Sequence, residues 1–126
     1  MTEKKLLFTK EHEWVLVKGH TARVGITDYA QNELGDVVFV DLPSIGDLVE
    51  EGEGFAVVES VKAVSDIYAP VSGEIAAVNE HLEDSPELVN ESPLDEGWIV
   101  EIKMEEPSQT ADLMTQQEYE EFIKGV

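Results

Sequence analysis

An all-β sandwich or barrel with short peripheral helices is the fold class this sequence predicts, and three features predict it. Runs of alternating or β-branched residues recur at intervals of about eight to twelve residues, separated by glycine, proline and acidic turns. The stretches "GDLVEEGEGFAVVES" and "SGEIAAVNEHLED" both run glycine, acidic residue, apolar strand, acidic loop, a loose duplication centred on Lys62. A helical apolar period sets in only after Pro107. The 126 residues fit one domain over 1–126, with a helical tail over about 108–124 docked on it, and 42% apolar residues suffice for a modest core.

The elements follow in order. "EWVLVKGHTARVGI" reads as an N-terminal hairpin around Lys18-Gly19-His20, with Trp14, Leu16, Ala22, Val24 and Ile26 at period two. A short helix near 27–34, "TDYAQNELG", has Thr27 or Asp28 to cap its amides, Gln31 placed as in a capping box, and Gly35 at the left-handed position after its last turn. "DVVFVDL" is a β-branched strand stopped by Pro43, and "SIGDLVEEGEG" alternates glycine turns with short extended pieces. "FAVVES" and "SDIYA" are strands separated by "VKAV", and "VSGEIAAVN" adds a turn and another strand.

"EDSPELVNESPLDEG" reads as a loop with one helical turn, Ser85 at its N-cap and Pro86 at its first position. "WIVEIKM" is a last core strand. "SQTADLM" and "TQQEYEEFIKG" read as helical, the second with a Thr115/Glu118 capping box and Gly125 as its stop. Leu113, Met114, Tyr119, Phe122 and Ile123 are expected to dock this tail on the sheets.

Composition excludes several function classes. A formal net charge of −20, from 28 acidic against 8 basic residues, repels phosphate backbones and anionic lipid, so neither nucleic acid nor membrane is an expected partner. There is no cysteine, so sulfur chemistry would have to come from an attached group. "MTEKKLLFTK" has an apolar stretch too short for a signal peptide, which makes the cytoplasm the expected location.

No nucleophile elbow is present, and neither Ser60 nor Ser65 has a histidine near it in sequence. His12, His20 and His81 lack metal-ligand spacing, and no calcium or phosphate loop appears. "EHEW" could set His12 between two carboxylates, but a surface histidine beside a strand is the plainer reading.

Lys62 is the one cation between Arg23 and Lys103, a stretch with nineteen Asp and Glu residues. Glu59 and Asp66 lie close by and would keep its amine protonated, which disfavours a free-amine catalyst. An amine at the tip of a hairpin, with small Ala63 beside it and strands on both sides, suits attachment of a group. The residues alone leave a plain surface lysine and an attachment site both open.

"KEHEWV", "VGITDYAQNELGDVVFVDLP" and "GFAVVESVKAVSDIYAPVSGEIAAVNEHLEDSPELVNESPLDEGWIVEIK", in this order, resemble the lipoyl-carrying H-protein family of the glycine cleavage system, over about residues 7–126. Biotin carriers typically place the lysine between methionines, and lipoyl domains of 2-oxo acid dehydrogenases usually carry Asp before it, whereas Val61 and Ala63 flank Lys62. The resemblance implies a mainly β barrel-sandwich hybrid of two antiparallel sheets, of the lipoyl and biotinyl carrier type.

It also implies a non-catalytic, monomeric carrier with lipoate attached covalently to Lys62. Glu59, Ser60, Val61 and Ala63 would serve recognition by the lipoate-attaching enzymes, and Gly73 turn geometry. The arm would accept an aminomethyl group from a pyridoxal-phosphate glycine decarboxylase and present it to a tetrahydrofolate-dependent aminomethyltransferase. Dihydrolipoyl dehydrogenase would then reoxidise it. A lipoyl-relay or acyl-transfer adaptor outside glycine cleavage is the alternative. In some relatives acidic side chains line a cleft that shelters the loaded arm; Glu13 and Asp66 resemble them, and Glu33 stands where some relatives have His.

Overall fold

The computed structural model of the chain describes residues 4–124. Its strands are β1 (Lys4–Phe8), β2 (Glu13–Lys18), β3 (Thr21–Ile26), β4 (Val37–Asp41), β5 (Leu48–Val49), β6 (Gly54–Ser60), β7 (Val64–Tyr68), β8 (Gly73–Val78) and β9 (Val100–Met104). The helices are α1 (Asp28–Leu34), α2 (His81–Asp84), α3 (Leu88–Glu91) and α4 (Gln116–Lys124), with a 3-10 segment over Pro107–Asp112. One sheet runs β1-β2-β3-β9-β8-β5 and the other β4-β6-β7, every pairing antiparallel. The mainly β architecture of two antiparallel sheets is therefore the one expected, in the form of an unclosed sandwich.

Alternation along the strands fills the space between the sheets. Val24, Ile75 and Ile102 of the larger sheet and Val40, Val58 and Ile67 of the smaller one belong to one buried cluster, with Leu82 of α2 and Val89 of α3 completing it. β5 pairs with β8 while β6 pairs with β7, so the segments on either side of Lys62 do face each other, as the loose duplication suggested.

β1 lies outside the alternating segments that the sequence predicts as strands. "LLF" has no alternation because both faces of this part of the sheet are covered: Leu7 enters the main core, whereas Leu6 and Phe8 join Trp14 under α4. The apolar run is what a doubly covered strand requires. Tyr119 is the buried α4 residue in this second cluster; Met114, Phe122 and Ile123 pack around it, and Leu113 packs on the main core. Thr115 and Glu118 close the expected capping box, the Thr115 amide donating to Glu118 Oε1 at 2.9 Å and the Glu118 amide to Thr115 Oγ1 at 3.2 Å. The expected stop at Gly125 lies outside the described residues.

Four local expectations are corrected. At α1, Thr27 rather than Asp28 caps, accepting from the Ala30 amide, and Gln31 donates to the Asp28 carboxylate instead of closing a capping box. The segment after β8 holds two helical turns; Ser85 is the residue that ends α2, and its side chain caps neither turn. "SQTADLM" is not α-helical. Leu113 is extended, and Met114 exchanges two 2.8 Å backbone hydrogen bonds with Phe8, which draws the chain out of the helix. Gly73 is a strand residue of β8 rather than a turn former, and a Cβ there would collide with the backbone carbonyl of Lys103 and with Ile102 Cγ2.

Candidate functional site

β6 and β7 pair in register from Glu59↔Val64 to Ala56↔Ile67 and turn over through Val61 and Lys62. Ser60 builds this turn. Its amide donates to the Ala63 carbonyl at 2.8 Å, and its hydroxyl oxygen accepts from the amides of Lys62 (3.2 Å) and Ala63 (3.0 Å). The Val61 amide donates to the Asp36 carbonyl at 3.0 Å, which ties the tip to the loop after α1.

Gly35 makes that loop possible with φ 82°, and its amide closes α1 on the Gln31 carbonyl. The bare Gly35 Cα also leaves room for the lysine stem: a Cβ there would stand 3.4 Å from Lys62 Cε. Lys62 itself is exposed, and the only ion pair among the described residues is Arg23 with Glu101, at 2.7 Å.

Because one hydroxyl organises two amides, Ser60→Ala should cost about 1 kcal/mol. The expected signature is local: amide exchange at Lys62 and Ala63 quickens in NMR, while the amides of β8 and β9 keep their protection.

A cleft of ≈ 450 Å³ lies between α1, the turn before β2 and β7. Glu11, His12, Glu13, Tyr29, Glu33, Ser65 and Asp66 are its polar lining; Ile26, Leu34, Val58 and Ile67 are among its apolar lining. Three carboxylates singled out in the sequence, Glu13, Glu33 and Asp66, are thus brought together. Ala63 also lines the cleft, whereas Glu59 does not. Glu59 is half-buried between Phe39 and Val64 in the smaller sheet.

Glu13 is buried, 2% exposed. Its Oε2 accepts from the Tyr68 amide at 2.7 Å and its Oε1 from the Thr9 hydroxyl at 3.2 Å. Burial pushes its carboxyl up to about 8, against the opposing pull of those two hydrogen bonds. A carboxyl raised above its ordinary value of 4.5 favours the fold most below that value, and the benefit is lost as pH rises through about 8.

Gln at this position carries no ionisation cost. Glu13→Gln should therefore gain stability relative to the parent as pH rises from 5 to 8.5, on the order of 2 kcal/mol. Paired urea titrations at the two pH values measure it, and an unchanged difference would count against a buried, uncharged Glu13.

His12 is corrected from a surface histidine to a half-buried one. Among the described residues it is the non-glycine residue with a left-handed backbone, φ 66°, and its ring lies tilted by 35° against that of Tyr29, with centroids 4.6 Å apart. Nδ1 lies 2.8 Å from the Tyr119 hydroxyl, which is also 2.8 Å from Thr27 Oγ1, so α4 is pinned to the cleft wall and to the cap of α1. Burial lowers the His12 pKa, and the nearby Glu11 and Glu33 oppose this. Tyr29 carried no sequence signal as a cleft-wall residue, nor Tyr119 as a partner of His12, because their approach to His12 is tertiary. The Ser60 clamp is local, and a hydroxyl two and three residues ahead of exposed amides was its legible sign.

Among the described residues no group of three or more metal-ligating side chains is assembled, and no helix is long and apolar enough to cross a membrane.

The family described as Glycine cleavage H-protein matches residues 6–126. The chain is 55% identical to the "Glycine cleavage system H protein" of Staphylococcus carnosus over 120 residues, 95% of each chain. It is 53% identical to the protein of that name from Halothermothrix orenii over 123 residues, 98% of this chain and 96% of the other. A crystal structure of a glycine cleavage system H protein from Mycobacterium marinum superposes with a TM-score of 0.86 at 36% identity, covering 97% of this chain and 98% of that one. With its sequence matched over residues 6–126 and its two-sheet fold shared, this chain belongs to the glycine cleavage H-protein family.

Proposed function

We infer that the chain is a single-domain lipoyl carrier of glycine cleavage, with lipoate joined in amide linkage to Lys62 and no catalysis of its own. The observation that carries this is the exposed lysine on a tip held from both sides, next to a cleft that is apolar inside and lined by carboxylates. The apolar lining suits a hydrocarbon arm and its dithiolane; the carboxylates suit an ammonium group at its end. When attached, the dithiolane supplies a disulfide that takes up an aminomethyl group and is closed again by two-electron oxidation.

The residues of the chain position and shelter. Ser60, Asp36 and Gly35 hold the attachment point, so the reach of the arm and the docking of the carrier set its local concentration at each partner. Those partners are glycine decarboxylase, aminomethyltransferase and dihydrolipoyl dehydrogenase, preceded by a lipoate-attaching enzyme that reads Glu59, Ser60, Val61 and Ala63. Amidation removes the Lys62 charge and takes the formal net charge from −20 to −21. A cationic load beside Glu33 or Asp66 at the water-exposed rim gains roughly 1 kcal/mol per close pair.

Glycine-carbon dioxide exchange with purified glycine decarboxylase tests this reading. The lipoylated chain should support exchange and the unmodified chain should not. A chain that accepts lipoate yet supports no exchange would instead be a lipoyl-relay or acyl-transfer adaptor.

A further inference from the structure

Asparagine side chains clasp two loops of this chain. Asn79 holds the 96–98 loop: its Nδ2 donates to the carbonyls of Glu96 and Trp98, both at 2.8 Å, and its Oδ1 accepts from the His81 amide at 3.3 Å. Asn90, on α3, holds the loop after α1. Its Oδ1 accepts from the Val37 amide and its Nδ2 donates to the Gly35 carbonyl, each at 2.8 Å, so one side-chain amide pairs with the backbone on both sides of Asp36. The same Nδ2 donates to Gln31 Oε1 at 3.0 Å, and Gln31 in turn donates to the Asp28 carboxylate at 2.9 Å, which fixes the sense of both amides.

The loop that Asn90 holds touches the lysine tip at two points. The Asp36 carbonyl accepts from the Val61 amide at 3.0 Å, and the bare Gly35 Cα is where the Lys62 stem passes. The Asp36 side chain is exposed, so the direction of its carbonyl is set by the two peptide groups that Asn90 grips. The platform beneath is firm, because Val89, next to Asn90, is fully buried in the main core. A chain of contacts thus runs from the core through Asn90 to the tip, although Asn90 does not line the cleft.

We propose that Asn90 is a positioning residue for lipoyl attachment: by clasping residues 35–37 it sets where the Lys62 amine is presented to the enzyme that acylates it. In that reaction ATP activates the lipoate carboxyl as an acyl adenylate. The Lys62 nitrogen forms the C–N bond as the C–O bond to AMP breaks, and the amine loses its proton.

The side-chain chemistry is specific. Alanine leaves both peptide groups without that partner, and aspartate keeps an acceptor for Val37 but sets its other oxygen against the Gly35 carbonyl and Gln31 Oε1. With the clasp lost, the tip is correctly placed for only a fraction of the time; apparent affinity for the acylating enzyme falls by that fraction, while the bound complex reacts as before. This inference rests on the lipoyl-carrier reading and adds the residue that aims its attachment point.

The test uses a purified bacterial lipoate-protein ligase with ATP and lipoate acting on the unmodified chain. Initial rates are followed by intact mass against carrier concentration, at a temperature where thermal unfolding shows every variant folded. Asn90→Ala should raise KM about fivefold with kcat unchanged, and Asn90→Asp at least as much. Asn79→Ala is the control: it also gives up three side-chain hydrogen bonds, but at the 96–98 loop, and it should keep the KM of the parent. By NMR, amide exchange at Val61 should quicken in Asn90→Ala, whereas Lys62 and Ala63, held by the Ser60 hydroxyl, keep their protection.

A KM for Asn90→Ala and Asn90→Asp equal to that of the parent would overturn the positioning role while leaving the carrier reading intact. So would an equal rise in Asn79→Ala, or unchanged Val61 exchange in Asn90→Ala. A parent chain that takes no lipoyl group would overturn both.

Discussion

Lys62→Arg should fold like the parent, acquire no lipoyl group, and support glycine-carbon dioxide exchange no better than a reaction without carrier. The side chain at 62 is exposed and its stem passes Gly35 without entering the core, so the substitution changes the chemistry far more than the packing. Amide formation needs a nitrogen lone pair that a lysine can present after losing a proton. A guanidinium does not lose its proton in water, and its charge is delocalised. Circular dichroism and a thermal midpoint within a degree or two of the parent establish the fold; exchange activity and mass then read the chemistry. Arginine retaining full exchange activity would remove Lys62 from the mechanism.

Gly73→Ala should be among the most damaging single-methyl changes in the chain. Gly73 sits where β5, β8 and β9 meet, paired with Val49 on one side and Met104 on the other. A Cβ would run into the Lys103 carbonyl and stand 2.8 Å from Ile102 Cγ2, and the carbonyl belongs to the sheet backbone and cannot rotate aside. Overpacking of a core costs typically about 1–3 kcal/mol, and a backbone obstacle puts this site at or above the top of that range. The midpoint should fall on the order of 10 °C or more. Lipoylation of Gly73→Ala, assayed well below that midpoint, should persist, because the tip is built by Ser60 and Asp36 rather than by β8. A drop of only a degree would contradict the close approach.

Much of the fold was legible because the apolar period is local. β2, β3, β6, β7 and β8 alternate or run β-branched between turn residues, and the Thr115/Glu118 box marks α4 within four residues. β1 was not legible, because its partners on both faces, the core at Leu7 and α4 at Phe8, erase alternation. The 3-10 segment was missed for a related reason: the pairing of Met114 with Phe8 is decided by residues more than a hundred positions apart.

The site divides the same way. The tip and its lysine can be read from "ESVKAVSD" alone, whereas the cleft assembles Glu13, Glu33 and Asp66 from separate segments. With 28 carboxylates in the chain, proximity along the sequence could not single these out. The burial of Glu13 was hidden as well, since an acid that opens a strand looks solvated until Tyr68 and Thr9 close on it.

The most direct measurement is the intact mass of the protein made in lipoate-replete cells, followed by peptide mapping of the adduct. A single lipoyl-sized increment is expected, carried by the peptide containing Lys62 and absent from Lys62→Arg. An unmodified chain, or an increment on any other lysine, would contradict the assignment of Lys62 as the attachment site.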